Sequence, residues 1–509
     1  MESVELEPAP VASPAPVAPP ASDRAATTRL VAKNTLWLAG GQIIGMPLGI
    51  LTSALLARWL GAEDYGFFFL VTTMAGFAAT FSEFGQGGAA QRAVARDRSA
   101  AGTLLTSALA LRLGSFVVAH IVLAVAYWVL DYPSHVGIAL AIVTGQTLLF
   151  QFGQTAALAA RAYERSEFVA RNTLILQFAT LVAIVPALLL GGGLVGVMVA
   201  QLVAAAVASW IDWRLLARLG IQLRRAQVAT MRLLAREGVG FLVLGGVVVL
   251  QWNVNAVMLS KLAGAEVMGW YAAAQRLVGF LIFPCSAVIG SLYPTLCRLV
   301  AEDPEEAAAT TRSALGVMSW VVLPVALGCA LFPDIGIQIF SRESFEPAED
   351  NLRISALVIF FLYFVMVLAT YVNALGLQRV WALLQLGSVA ISSALNVLLI
   401  PMFQDSMGNG GLGVVTATVV SEGFLVFAAL RLAPTRLLNA SFFRSFGLAL
   451  LAAACMAIVG LVLRPLVTSW VAAPIAVVVY VVCLRVTGVL NPATIAMVRD
   501  MVRRRKARA

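Results

Sequence analysis

The 509 residues are 60% hydrophobic and only 12% charged, against about 25% charged in an ordinary soluble domain. A single apolar core stops growing near about 250–300 residues, so a chain of this length with a mean hydropathy of +0.89 cannot be a soluble globular enzyme and needs lipid as its solvent. The formal charge of +9 comes from 35 Lys and Arg residues, and their uneven placement carries information about orientation.

Residues 1–29 form an acidic, Pro/Ala-rich stretch with neither the basic start nor the apolar run of a signal peptide, and are expected to be a disordered cytoplasmic tail. A bilayer core takes about 20 helical residues to cross. Spans are expected at Leu36 to Ala57, Phe67 to Gly85, Thr103 to Leu130, Val136 to Ala159, Asn172 to Leu190, Leu194 to Trp213 and Gly240 to Ser260. Seven more follow at Trp270 to Cys297, Ala314 to Phe332, Ile354 to Ala374, Trp381 to Ile400, Leu412 to Leu430, Ser445 to Leu463 and Trp470 to Val486. The result is an all-α polytopic membrane protein of about 14 transmembrane helices. A six-helix lobe is expected over 30–220, a basic linker over 221–239, a second six-helix lobe over 240–432, two additional helices over 433–488 and a basic cytoplasmic tail over 489–509. The alternating pattern of an outer-membrane barrel is absent.

With this span count, 27 of the 35 basic residues fall on the side of both termini and five on the other, while Arg112, Arg276 and Arg485 lie inside spans. Cytoplasmic loops are enriched in Lys and Arg, so both termini are expected to be cytoplasmic, with the chain in a bacterial inner membrane. The five cysteines sit in or beside apolar runs without a short spacing, and only His120 and His135 supply imidazole. No metal, cofactor or catalytic set is expected.

An internal repeat organises the chain. The segment ARWLGAEDYGFFFLVTTMAGF from Ala57 returns as SKLAGAEVMGWYAAAQRLVGF from Ser260, with Gly61, Glu63, Gly66 and Gly76 matching Gly264, Glu266, Gly269 and Gly279 at an offset of 203, and with Arg58 opposite Lys261. A weaker match pairs AYER at Ala162 with GLQR at Gly376, at an offset of 214. Six spans separate the copies, so the two lobes are parallel and pseudo-symmetric. That is a transporter architecture, with cargo between lobes that rock about it.

At these same residues the sequence resembles the bacterial polysaccharide-export flippases of the multidrug/oligosaccharidyl-lipid/polysaccharide exporter superfamily. The resemblance rests on K-N-x-x-W-L from Lys33, A-R-W-L-G-A-E-D-Y-G from Ala57, E-F-G at Glu83, G-W-Y-A-A-A-Q-R-L from Gly269 and Y-P at Tyr293, and extends over about residues 30 to 490. It implies a V-shaped pair of lobes with a cationic cavity, moving polyprenyl-diphosphate-linked oligosaccharide to the outer leaflet for surface polysaccharides of the O-antigen or exopolysaccharide kind.

Charges inside a membrane are functional candidates by default. Arg276 and Arg112 are expected to contact the diphosphate headgroup, because a guanidinium offers paired donors and keeps its proton. Arg58 and Lys261 would form a basic pair at the outer mouth, with interfacial anchoring as the alternative. Glu63 and Glu266 are read as helix-start residues, and Asp212, beside Trp213 and Arg214, as interfacial. Glu83 and Glu422 are candidates for ion coupling or for pairing with an intramembrane arginine. Gln251 with Asn255, and Gln151 with Gln154, form polar stripes at helical spacing that either line a passage or tie helices together. Pro284, eight residues past Arg276, is the candidate hinge.

The expected partners are the lipid-linked oligosaccharide, membrane lipids and, as a further candidate, other polysaccharide assembly proteins. Nucleic acid is not expected, since the basic C-terminal run has no reading surface beside it. The alternatives are a multidrug or ion antiporter of the related branch and, of a different class, a membrane-embedded sugar polymerase or ligase, for which the outer loops are too short.

Overall fold

A computed structural model describes residues 21–340, 343–433 and 437–490. Sixteen helices follow one another without a strand among the described residues. The first half comprises α1 (Ala21–Glu83), the short α2 (Gln86–Arg96), α3 (Ala101–Val129), α4 (Ser134–Ala162), α5 (Ser166–Leu189) and α6 (Gly193–Arg218). The second comprises α7 (Val228–Leu262), α8 (Ala265–Leu281), α9 (Phe283–Glu302), α10 (Pro304–Leu331), the one-turn α11 (Pro333–Ile337), α12 (Ala348–Ala374), α13 (Gln378–Met407) and α14 (Gly411–Leu432), before α15 (Ala440–Leu463) and α16 (Ser469–Val486).

Twelve stretches are long and apolar enough to span a membrane among the described residues. One of them, Gly40–Glu83, runs 44 residues and breaks at Gly61, so it serves as two crossings. The 35-residue α7 is a further long helix outside those twelve stretches, at the place where the seventh of the fourteen spans is expected. The protein is a multi-pass, all-helical membrane protein. Rows of exposed Val117, Val118, Ile121, Val122 and Val125 on α3 are stable only where lipid replaces water.

The break in α1 has a local cause. Gly61 has φ 74° and ψ 178°, a region open in practice only to glycine. Its repeat mate Gly264 has φ 88° and ψ 174° and starts α8, so the 203-residue repeat is one backbone conformation used twice. The weaker repeat needs correction. Glu164 (φ 59°) and Gly376 (φ 80°) are the left-handed turn residues before α5 and α13, which sets the offset at 212 rather than 214. The expected pairing of AYER with GLQR is two residues out of register. A second difference concerns the expected linker 221–239, which is already helical from Val228.

Contacts repeat between the halves. α4 lies on α6, α5 on α6 and α1, and in the second half α12 lies on α14, α13 on α14 and α7. The halves meet chiefly where α1 crosses α8, and one buried apolar cluster runs through that junction from Leu56, Ala62 and Phe68 to Met268, Tyr271 and Phe345. Smaller cores close the α2 end of the first half, around Ala90, Leu105 and Leu158, and join α15 and α16 to α10 around Met456, Tyr480 and Leu323.

Candidate functional site

The candidate site is the junction between the halves, where α1 meets α8. At the end carrying Gly61 and Gly264 it is shut by a crossing of main chains. A Cβ placed on Gly66 would run into the Ala265 carbonyl oxygen, and one on Gly269 into the Ala62 carbonyl oxygen. Ala62 and Ala265 are themselves repeat mates, so the contact is reciprocal about a pseudo-two-fold axis. Small residues allow such close approach of membrane helices.

Beneath the crossing sits an aromatic layer. Tyr65, 2% exposed, stacks on Phe68 with centroids 6.0 Å apart, lies 6.2 Å from Phe340 and meets Phe345 edge-on at 5.8 Å. Phe69 meets Tyr271 edge-on at 6.1 Å. Phe340 and Phe345 belong to the connection between α11 and α12, so the layer takes residues from both halves. Arg276 of the second half and Ser53 of the first are neighbours of Tyr65.

Arg276 is the group below this ceiling. It lies twelve residues past Gly264, about 18 Å along the helix at 1.5 Å per residue, near the middle of a hydrocarbon layer about 30 Å thick. It is nevertheless exposed, between the buried Gln275 and Leu277. No ion pair joins it to a carboxylate among the described residues. Its repeat counterpart is Thr73, so the charge has no twin in the first half. Towards the opposite end, α9 turns away to α10 and α12, and α7 alone keeps to the first half, against α1, α2 and α3. The helix break at Ile282 separates α8 from α9, and Pro284 stands at the second position of α9, in the first turn, where the N–H it lacks would have no acceptor within that helix.

The other expected site residues are distributed differently. Arg112 is 1% exposed and lies inside the first half, with Glu83 at 3.8 Å and its Nε and Nη1 without hydrogen-bond partners, so in this state it does not face the cleft. Glu83 is the half-exposed partner in that pair. Arg58 Nε donates to the Phe340 carbonyl at 3.0 Å and its Nη2 to that of Gln338 at 3.2 Å. Lys261 donates to the Asp131 carbonyl at 3.5 Å and lies 3.9 Å above the Tyr132 ring. Glu63 and Glu266 are exposed in the first turn after each repeat glycine.

Among the polar stripes, Gln151 is 1% exposed and donates to the Ala79 carbonyl at 3.2 Å, tying α4 to α1. Asn255 accepts from Asn396 at 2.8 Å and Ser392 at 3.4 Å, tying α7 to α13. Gln251 donates to Ser421 at 3.4 Å. Glu422 follows Ser421, is 7% exposed, and its Oε2 has no hydrogen-bond partner. Gln154 does line a space, a cavity of about 460 Å³ within the first half that also touches Gln146, Asn172 and Asp212.

Asp212, expected to be interfacial, is turned into that cavity. Asp212 is 6% exposed, accepts from Asn172 Nδ2 at 2.8 Å, and faces Gly153, where a Cβ would stand 2.7 Å from its Oδ2. Its neighbours Trp213 and Arg214 point the other way around the helix and misdirected the reading; the informative signal was the small-residue face of Ala205, Ala208 and Ser209. Tyr65 and Phe340 were also missed. The cysteines are all free, and no cluster able to hold a metal occurs among the described residues.

Among curated proteins none matches the sequence. The solved structures similar to this chain share its fold at low identity. An inward-facing multidrug resistance MATE family transporter of the MOP superfamily gives a TM-score of 0.64 at 18% identity over 79% of this chain and 98% of that one. The lipid II flippase MurJ in an inward closed conformation gives 0.66 at 12% identity over 89% and 98%. An outward-facing MATE family transporter gives 0.57 at 18% identity over 81% and 97%. The family model described as polysaccharide biosynthesis protein matches residues 31–300. That match covers more than half of the sequence, and the chain belongs to the polysaccharide biosynthesis protein family.

Proposed function

We propose that the protein is a flippase that moves polyprenyl-diphosphate-linked oligosaccharide from the cytoplasmic to the outer leaflet of a bacterial inner membrane by alternating access. The observation that carries this reading is Arg276, an exposed guanidinium about half-way along the span that begins at Gly264, with no carboxylate in ion pair with it among the described residues. A diphosphate supplies the bidentate acceptor that such a group lacks. The polysaccharide family and the fold shared with a lipid II flippase support the same cargo class. In this reading both termini are cytoplasmic, the Gly61 end is the outer mouth, and residues 30–220 and 240–432 are the rocking lobes.

The cargo enters from the cytoplasmic side, its diphosphate engages Arg276, and the lobes then close behind it and part at the crossing of α1 and α8. Arg58 and Lys261 meet the headgroup only after the mouth opens, and Arg112 only if the α2 end of the first lobe loosens. Glu422, buried with an unpartnered carboxylate oxygen, is the better placed of the two candidate coupling groups. The bend at Pro284 lets the lower part of the span swing relative to Arg276.

The test is a proteoliposome assay in which a polyprenyl-diphosphate oligosaccharide, placed in the inner leaflet, becomes accessible to an external impermeant probe. Arg276→Ala is expected to lose at least about tenfold in rate. Wild-type protein that moves none of it contradicts the reading. The second reading, a multidrug antiporter, is favoured by the fold shared with MATE transporters and disfavoured by a cationic cleft that repels cationic drugs. Efflux of such drugs by the same vesicles would establish it instead.

A further inference from the structure

Arg58 and Lys261 are repeat mates, each at the end of the first helix of its half. Arg58 spans the cleft to the carbonyls of Gln338 and Phe340, which directly follow α11. Lys261 spans it the other way, to the carbonyl of Asp131 and the ring of Tyr132, which directly follow α3. The contact is reinforced by Ser260, whose Oγ lies 2.6 Å from the Tyr132 hydroxyl. The last carbonyls of a helix lack intrahelical donors and carry its negative end. Here the acceptors are the C-cap residue Gln338 and the loop residues Phe340 and Asp131 just past α11 and α3, so each cation ties down the loop that follows a helix of the opposite half, and the two ties are related by the same two-fold symmetry that relates Gly66 and Gly269.

We propose that Arg58 and Lys261 are reciprocal latches of the outer mouth, holding the lobes together by capping each other's loops and letting go when the mouth opens. Neither contact lies within one lobe, so neither contributes to the folding of a single lobe. Both are made only while α1 and α8 are crossed. Their loss on opening leaves two cations without partners at the mouth, where an anionic headgroup can take the place of the carbonyls. The latch on the Arg58 side is the firmer, with two directional hydrogen bonds against one longer contact and a cation–π contact. This inference rests on the alternating-access part of the functional reading and not on the identity of the cargo.

The test places spin labels on the full-length protein in liposomes without cargo. The five native cysteines are replaced, and labels go on Glu63→Cys and Glu266→Cys, exposed repeat mates on either side of the mouth. The parent should show mainly the short, closed distance. Arg58→Gln should raise the long-distance fraction about five- to tenfold relative to the closed one, the effect expected from losing charged hydrogen bonds, Lys261→Gln by less, and the double variant most. Arg58→Lys, which keeps the charge but not the paired donors, should fall between Arg58→Gln and the parent. Distance distributions unchanged in both single variants would overturn the proposal, and the singles decide the matter if the double variant does not fold. Because no cargo is present, a failed transport assay leaves this result standing.

Discussion

Gly66 and Gly269 stand in reciprocal positions, each pressed against the main chain of the facing helix where it has no room for a Cβ. A methyl group on either would collide with a carbonyl oxygen of the facing helix, at Ala265 for Gly66 and at Ala62 for Gly269. The relationship is reciprocal because the chain is duplicated, and it closes the cleft above Arg276.

Gly66→Ala and Gly269→Ala are therefore expected to force α1 and α8 apart, at a cost of about 1–3 kcal/mol to the closed state. Pulsed distance measurements between Glu63 and Glu266 should show the mouth open more often. Gly76→Ala and Gly279→Ala form the matched control, since a Cβ at either meets nothing within 4 Å. They should leave both distances and melting temperature unchanged.

Gly61→Ala and Gly264→Ala test the backbone. Both positions need a positive φ with ψ near 180°, and a side chain there costs about 1–3 kcal/mol. Each should lower the melting temperature in detergent by a similar amount, and a large difference between them would contradict their equivalence.

These glycines mark what was legible in the sequence. The fourteen spans, the 203-residue repeat and the paired turn glycines can be read because lipid requires long apolar runs and the turn conformation requires glycine. Phe340 and Phe345 could not be joined to Tyr65, since about 280 residues separate them and only the crossing of the halves brings them together. Arg112 and Arg276 looked alike as arginines within apolar spans. The structure separates them, one buried beside Glu83 and the other exposed on α8, because each faces a different side of its helix and neither alanine-rich sequence declares which side is packed. Asp212 was hidden in the same way, behind aromatic and basic neighbours that suggested an interface.

Asp212 gives a prediction for the first lobe. Asp212→Asn keeps an acceptor for Asn172 and should change the melting temperature little. Asp212→Ala removes the acceptor of the half-buried Asn172 amide, a loss of about 1–3 kcal/mol, and should lower it clearly. Equal melting temperatures for the two variants would show that the 2.8 Å contact contributes nothing.

Arg276 separates function from folding. Because its side chain is exposed, Arg276→Ala and Arg276→Gln should express and melt like the parent while losing transport. Arg276→Lys, with the charge but without the planar fork, should keep part of it. A variant that unfolds would instead assign Arg276 a structural role through Tyr65.

The central claim is that this cleft carries a lipid-linked oligosaccharide across the membrane. Its most direct test is to delete the gene in its host, extract the lipids, and restore either the wild-type gene or Arg276→Ala. The account predicts that an intact polyprenyl-diphosphate oligosaccharide accumulates on the cytoplasmic leaflet, that one surface polysaccharide disappears, and that only the wild-type gene reverses both. Unchanged lipid intermediates and surface glycans in the deletion strain, with no second flippase present, would contradict it.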